Sequence, residues 1–443
     1  MGLEDQARPE LPPQPPAYRR AAVSLLLVLF ALSFLDRQII NILAEPIKAE
    51  LDLADWQIGL MSGLAFAVLY TLAGSPIARL ADRAHRPRII GVAVVLWSLF
   101  TASCGFVGSF VQLLAARVGV GIGEAGLTPP ATSLIMDYAP PEKRASTLAH
   151  YHMGVPLGSL LGLALGGLLF DWVGWRHAFL IVGAPGVLMG VAAMLILREP
   201  RSRGGAVVAT QDRRPGYGDT FRALARIRSY RLFVLATAFQ AFVSYGQAPF
   251  VASFFFRQHG AQLADMAASV GLQRAGFLGL ALGLAHGVAG LLGVWLGGQL
   301  ADRIARGDVR HYGTVPSMAA LLTIPTFIIA IITPDAGFAL LLLAVPSLFN
   351  AMWFGPVHTT QQSVVPKEMR ATATAVLLLI LNLIGLGLGP LAVGLLSDWL
   401  GVGWKLGPGR GVQVALMMAS FVALVPAWLF YTARRSIPED LRS

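Results

Sequence analysis

Leu80-Ala81-Asp82-Arg83 returns as Leu300-Ala301-Asp302-Arg303, 220 residues further along the chain. A second, unrelated pair keeps nearly the same offset. Pro140-Pro141-Glu142-Lys143-Arg144-Ala145 is matched by Pro366-Lys367-Glu368-Met369-Arg370-Ala371, with Arg144 and Arg370 226 apart. Two different motifs recurring at nearly one spacing mark an internal duplication. Each copy directly follows an apolar run, so the duplicated unit is a set of hydrophobic segments.

Those runs number twelve when read between polar breaks. The first half gives Arg20–Pro46, Trp56–Ala78, Pro87–Gly108, Phe110–Asp137, Thr147–Phe170 and Ala178–Leu197. The second gives Leu232–Phe256, Gly276–Leu300, Tyr312–Thr333, Gly337–Val364, Ala371–Leu400 and Gly411–Tyr431. Each can cross ~30 Å of hydrocarbon as a helix, whereas barrel strands would show ~10-residue alternating segments. The 443 residues are 55% hydrophobic and only 13% charged, too little charge to cover a soluble surface. The expected fold is an all-α membrane protein with 12 transmembrane helices in two pseudo-symmetric six-helix bundles. The expected division is a cytoplasmic tail over 1–19, a bundle over 20–198, a cytoplasmic linker over 199–231, a second bundle over 232–433 and a tail over 434–443. Residues 1–18 are polar and Pro-rich, without the apolar core of a cleavable signal.

Charge placement predicts orientation. Of 34 basic residues, Lys48, Arg176, Arg257, Arg274, Lys405 and Arg410 fall opposite the N-terminus, Arg37 and Arg117 fall within spans, and the other 26 share the side of the termini. That asymmetry predicts both termini in the cytoplasm, and the expected location is a bacterial inner membrane. The net charge of +10 therefore belongs to topology rather than to nucleic-acid binding. The stretch from Arg198 to Arg231 carries nine arginines against Glu199, Asp212 and Asp219. It reads as a connector or as a contact for anionic lipid, where each basic residue contributes ~1 kcal/mol. The single cysteine, Cys104, is a core residue and excludes a disulfide framework. No metal-ligand cluster, phosphate loop or nucleophile elbow is present, so neither enzyme chemistry nor a cofactor is expected. His150-Tyr151-His152 lacks a third ligand.

Four ionisable residues fall deep within spans: Asp36 and Arg37 in the first, Arg117 and Glu124 in the fourth. Each costs roughly 2.5–3.5 kcal/mol in hydrocarbon, so they should face a cavity and pair. Arg117 and Glu124 share a helical face about 10.5 Å apart along the axis. Depth matching pairs Asp36 with Arg117, leaving Arg37 for Glu124 or for a substrate anion. Gln240, Ser244, Tyr245 and Gln247 on the seventh helix, Asn350, Trp353 and His358 on the tenth, and His152 on the fifth are candidates for the remaining cavity wall. Glycine stripes at Gly158, Gly162 and Gly166, and at Gly385, Gly389 and Gly394, predict close helix packing.

Gly74, Arg79-Leu80-Ala81-Asp82-Arg83 and Arg86 resemble the loop motif between helices two and three of the major facilitator superfamily, with Arg79 where glycine is common. Arg117-Val118-Gly119-Val120-Gly121-Ile122-Gly123-Glu124-Ala125 resembles that superfamily's fourth-helix motif. Ser33-Phe34-Leu35-Asp36-Arg37, taken with Val120 to Ala125, is similar to the spinster branch. The resemblance implies a monomeric secondary transporter working by alternating access, with proton-coupled export of a lysophospholipid or similar amphipathic anion. It assigns Asp36, Arg37 and Glu124 to the central cavity. The duplicated Asp82, Arg83, Arg144, Asp302, Arg303 and Arg370 are then expected to close a cytoplasmic gate, the alternative being static surface pairing. A carrier of small organic acids or drugs is the rival function. A lipid scramblase or non-transporting receptor would lack use for matched gates.

Overall fold

The computed structural model describes residues 15–200 and 217–441, apart from 307, 367 and 368. Residues 1–14 of the expected N-terminal tail and 201–216 of the expected linker therefore lie outside the described residues, as do Lys367 and Glu368 and the side chains of Asp82 and Arg83.

Ten stretches are helical, long and apolar enough to cross a membrane. They are α1 (Pro16–Leu51), α2 (Asp55–Ala81), α3 (Arg86–Phe106), α4 (Phe110–Tyr138), the 51-residue Ser146–Ile196, α8 (Arg274–Ala305), α9 (His311–Ile332), α10 (Ala336–Val364), α11 (Thr372–Gly403) and α12 (Gly407–Asp440). The 51-residue stretch is two spans. Gly174, at φ 77°, breaks it in a conformation that glycine adopts without steric cost, leaving α5 (146–173) and α6 (175–196). A twelfth helix, α7 (Arg228–Gln258), has 31 residues and crosses as well, but Gln240, Ser244 and Gln247 lower its hydropathy. The twelve expected helices are thus present among the described residues. An even number of crossings brings both termini to one face, here called the termini face, opposite the far face.

Small residues set the packing. A Cβ on Gly158 would lie 2.2 Å from the Ala31 carbonyl, and one on Gly389 2.7 Å from that of Phe242. The first stripe therefore seats α5 on α1, and Gly385 and Gly389 of the second seat α11 on α7, each inside its own half, while Gly394 turns to α2 of the other half.

The halves meet along α5 with α8, α2 with α11, and α1 with α7, and the duplication relates the first two crossings to each other. Glycine Gly279 of α8 faces the Leu163 carbonyl, and Gly59 of α2 faces the Pro390 carbonyl, each at 2.2 Å from a built Cβ. Gly279 and Gly59 are 220 residues apart, Leu163 and Pro390 227 apart. At the far end, Gly167 meets Ala275 at 2.1 Å and Gly394 meets Asp55 at 2.4 Å, with the same two offsets. Toward the termini face contact stops: added Cβ atoms on Gly74 and Gly290 would meet nothing within 4 Å. The bundle is shut at the far face and parted at the other.

Candidate functional site

The intramembrane charges gather at the closed end of this parting. α1 brings Ser33, Asp36 and Arg37, α4 brings Arg117 and Glu124, and α2 supplies two aromatic rings. Arg37 Nε donates to Glu124 Oε2 at 2.7 Å, and Ser33 Oγ donates to the same oxygen at 2.6 Å. Glu124 Oε1 is buried without a hydrogen-bond partner. The Arg37 guanidinium lies 5.0 Å from the Phe34 ring, 4.6 Å from Phe66 and 4.8 Å from Tyr70. Three rings around one cation form a cage, each contributing about 0.5–2 kcal/mol according to its desolvation. Phe66 and Tyr70 are one turn apart on α2, a spacing visible in the sequence that did not single them out.

The expected Asp36–Arg117 pair takes another form. Arg117 Nη1 donates to the Asp36 backbone carbonyl at 3.4 Å, not to its carboxylate. The carboxylate instead accepts from Thr101 Oγ1 on α3 at 3.1 Å. Phe66, 5.7 Å from the Arg117 guanidinium, takes part of that cation's face, and Arg117 Nε is buried without a partner. Depth matching set the two residues at one level but could not assign the direction of the Asp36 side chain, which points to α3. Asp36, Arg117 and Glu124 are each buried.

A small cavity opens against the set, lined by Arg37, Gln38, Asn41, Ser62, Arg117 and Tyr245 among others. It encloses about 40 Å³, room for a water or two rather than a lipid. Both α2 and α11 widen into i→i+5 turns beside it, over Leu60–Leu64 and Leu381–Leu388. Such turns shift side chains off the ordinary helical register and concentrate at functional sites.

Of the other cavity candidates, Tyr245 lines this pocket. Gln240 donates to Asn350 Oδ1, and Asn350 Nδ2 donates to Ser244 Oγ at 2.6 Å, so these polar groups tie α7 to α10. Trp353 leans on Phe354 at 5.5 Å, and His152 sits edge-on to Phe30 at 5.6 Å. At the termini face, Asp302 accepts from Tyr312 Oη at 3.0 Å within its own half, Arg303 is exposed, and Arg370 Nε donates to the Val365 carbonyl at 3.3 Å. Arg144 Nε is buried without a partner. Among the described residues, no ion pair joins the halves at this face. Arg86 of the loop motif is fully buried and pairs inside its half, with Asp137 at 2.6 Å and with Glu199.

The far face carries a cluster that sequence reading missed. Arg257 at the end of α7 donates through Nη2 to Glu45 at 2.8 Å and to Asp55 at 2.8 Å, reaching across the halves. Lys48 also pairs with Asp55, and Ser397 Oγ donates to it at 2.6 Å. Asp398 accepts from the Asp55 and Trp56 amides at 3.0 and 2.8 Å. Lys48 and Arg257 had entered the sequence reading only as basic residues on the less basic side.

The sequence model of the Major Facilitator Superfamily matches residues 26–390. An "MFS-type efflux pump" of Mycolicibacterium smegmatis is 33% identical over 426 residues, covering 95% of each chain. Human "Protein spinster homolog 1" is 26% identical over 433 residues, covering 95% of this chain and 81% of that one. The crystal structure of a bacterial homologue of the human lysosomal transporter spinster, inward-facing and unoccupied, superposes with a TM-score of 0.84 at 30% identity, over 96% of this chain and 99% of the other. Its occupied inward-facing form gives 0.83. Family match, full-length similarity and fold agree, and the chain belongs to the Major Facilitator Superfamily as a membrane transporter of the spinster type.

Proposed function

We propose that the chain exports a lysophospholipid or similar amphipathic anion by alternating access, coupled to protons, with both termini in the cytoplasm of a bacterium. The parted termini face is then the cytoplasmic one, and the described state faces inward. The observation that carries this reading is the Arg37–Glu124 pair, with the Arg37 side chain only 16% exposed and that of Glu124 fully buried, at the closed end of the opening. An ionised carboxylate buried without a cation is costly, so proton uptake by Glu124 and departure of Arg37 go together. Oε1, which has no partner, is free to take the proton while Ser33 Oγ stays bound to Oε2. The ring cage keeps the released guanidinium in the cavity, where its planar fork suits a phosphate or carboxylate head group. With only about 40 Å³ behind it, an acyl chain would extend toward the termini face.

Proteoliposomes loaded with labelled lysophospholipid and subjected to a pH gradient test the reading. The gradient should accelerate transport several-fold, and Glu124→Gln should remove the acceleration while leaving the folded protein intact. Unchanged pH drive in Glu124→Gln would contradict the coupling role. A pH-driven flux of small organic acids or drugs without any of lysolipid would favour the rival carrier instead.

A further inference from the structure

At the far face, two acids make the same contact from opposite halves. Asp171, at the end of α5, accepts from the Gly276 amide in the first turn of α8, with Oδ2 at 2.5 Å. Asp398, near the end of α11, accepts from the Asp55 and Trp56 amides in the first turn of α2. The acids are 227 residues apart and Gly276 and Trp56 220 apart, the same offsets that relate the two crossings. In each case the carboxylate belongs to one half and the helix to the other. One turn before each acid a glycine, Gly167 or Gly394, lets the backbones touch closely enough for the carboxylate to reach. The first amides of a helix have no partner within it and carry the positive end of its dipole, so an anion there is favourable.

Two other helix starts show the ordinary arrangement. Ser109 accepts from the Gln112 amide and Asp335 from the Phe338 amide, each capping the helix it begins. Asp171 and Asp398 instead cap helices to which they are joined only through the closed far face.

We propose that Asp171 and Asp398 are paired positioning residues of the far-face gate, each holding a helix start of the other half while the gate is shut. Opening hands both the carboxylate and the amides to water, which solvates each well. The contact is therefore readily reversible, and its duplication lets the two crossings open together. The inference rests on the alternating-access reading but not on the substrate or the proton.

Amide hydrogen exchange of the full-length protein in nanodiscs tests it without any transported molecule, so failed lysolipid transport would leave this result standing. Asp171→Ala should speed exchange in the first turn of α8, and Asp398→Ala in the first turn of α2, each about tenfold, with the Asn variants nearer threefold because they keep an acceptor. The Asp171→Ala/Asp398→Ala double variant should also raise labelling from the far face, by an impermeant reagent, of a cysteine introduced at Ala248 in a Cys104→Ala background. Asp335→Ala, whose cap lies within one half, should change neither. Melting temperatures identify any variant that is unfolded rather than opened, and the Asn pair then carries the test. Unaltered exchange at both helix starts in folded variants, or equal effects from Asp335→Ala, would overturn the proposal.

Discussion

The two ends of this transporter invite comparison. At the far face, Arg257 bridges Glu45 and Asp55, and carbonyl-to-glycine contacts press α5 on α8 and α2 on α11. At the termini face, the described members of the repeated motifs keep their contacts within their own halves, and glycines Gly74 and Gly290 face open space. Both ends were built by one duplication, yet only one is sealed. A gate is thus a property of a state: residues that close one face have no cross-half partner while the other is shut.

The largest expected effect comes from cutting the far-face clamp. Arg257→Ala leaves Asp55 with Lys48 as its remaining cation beside the Ser397 hydroxyl, and Glu45 without the Arg257 cation, and removing one partner of a buried pair costs about 3–5 kcal/mol. That exceeds the few kcal/mol separating two states of a transporter. Thermal unfolding and labelling from the far face of a cysteine introduced at Ala248, in a Cys104→Ala background, should both show it, as a lower melting temperature and a labelling rate at least tenfold higher. A variant with wild-type labelling would mean that the clamp does not hold the seal.

A smaller effect, with its own internal control, separates the two ends along one helix. Gly279→Val forces a side chain into the Leu163 carbonyl and should cost about 1–3 kcal/mol, again with far-face opening. Gly290→Val, three turns along α8, meets nothing and should stay within about 0.5 kcal/mol of wild type. Equal destabilisation by both would remove the distinction between sealed and parted ends.

The smallest change is expected at the repeated motif itself. Asp302 is exposed and accepts a hydrogen bond from Tyr312 within its half, so Asp302→Asn should alter the stability of the described state by no more than about 0.5 kcal/mol. A role in closing the termini face would appear instead as slower turnover, measured as a reduced transport rate with unchanged melting temperature.

Much of this was legible in the sequence. Hydropathy gives the twelve helices because backbone polar groups cannot be left unsatisfied in lipid, and the motif offsets give the two halves. Arg37 and Glu124 stand out because charge in a span is expensive. The seal was not legible, because its members look ordinary one at a time. Asp55 and Asp398 are 343 residues apart, and each reads as a charge at a helix end. A signal existed in Leu168-Leu169-Phe170-Asp171-Trp172 and Leu395-Leu396-Ser397-Asp398-Trp399, a third repeated motif at an offset of 227. The side-chain direction of Asp36 was beyond reach, since spacing along a helix sets depth and face but not which of two neighbouring helices a carboxylate will meet.

The central claim is that the cavity holding Arg37 and Glu124 opens to one face at a time. A single cysteine at Ala248, which lines that cavity, in a Cys104→Ala background can be probed with an impermeant thiol reagent in oriented vesicles. Labelling should be at least tenfold faster from the termini face, and Arg257→Ala should shift it toward the far face. Equal rates from both faces in the protein with Arg257 intact would contradict the account.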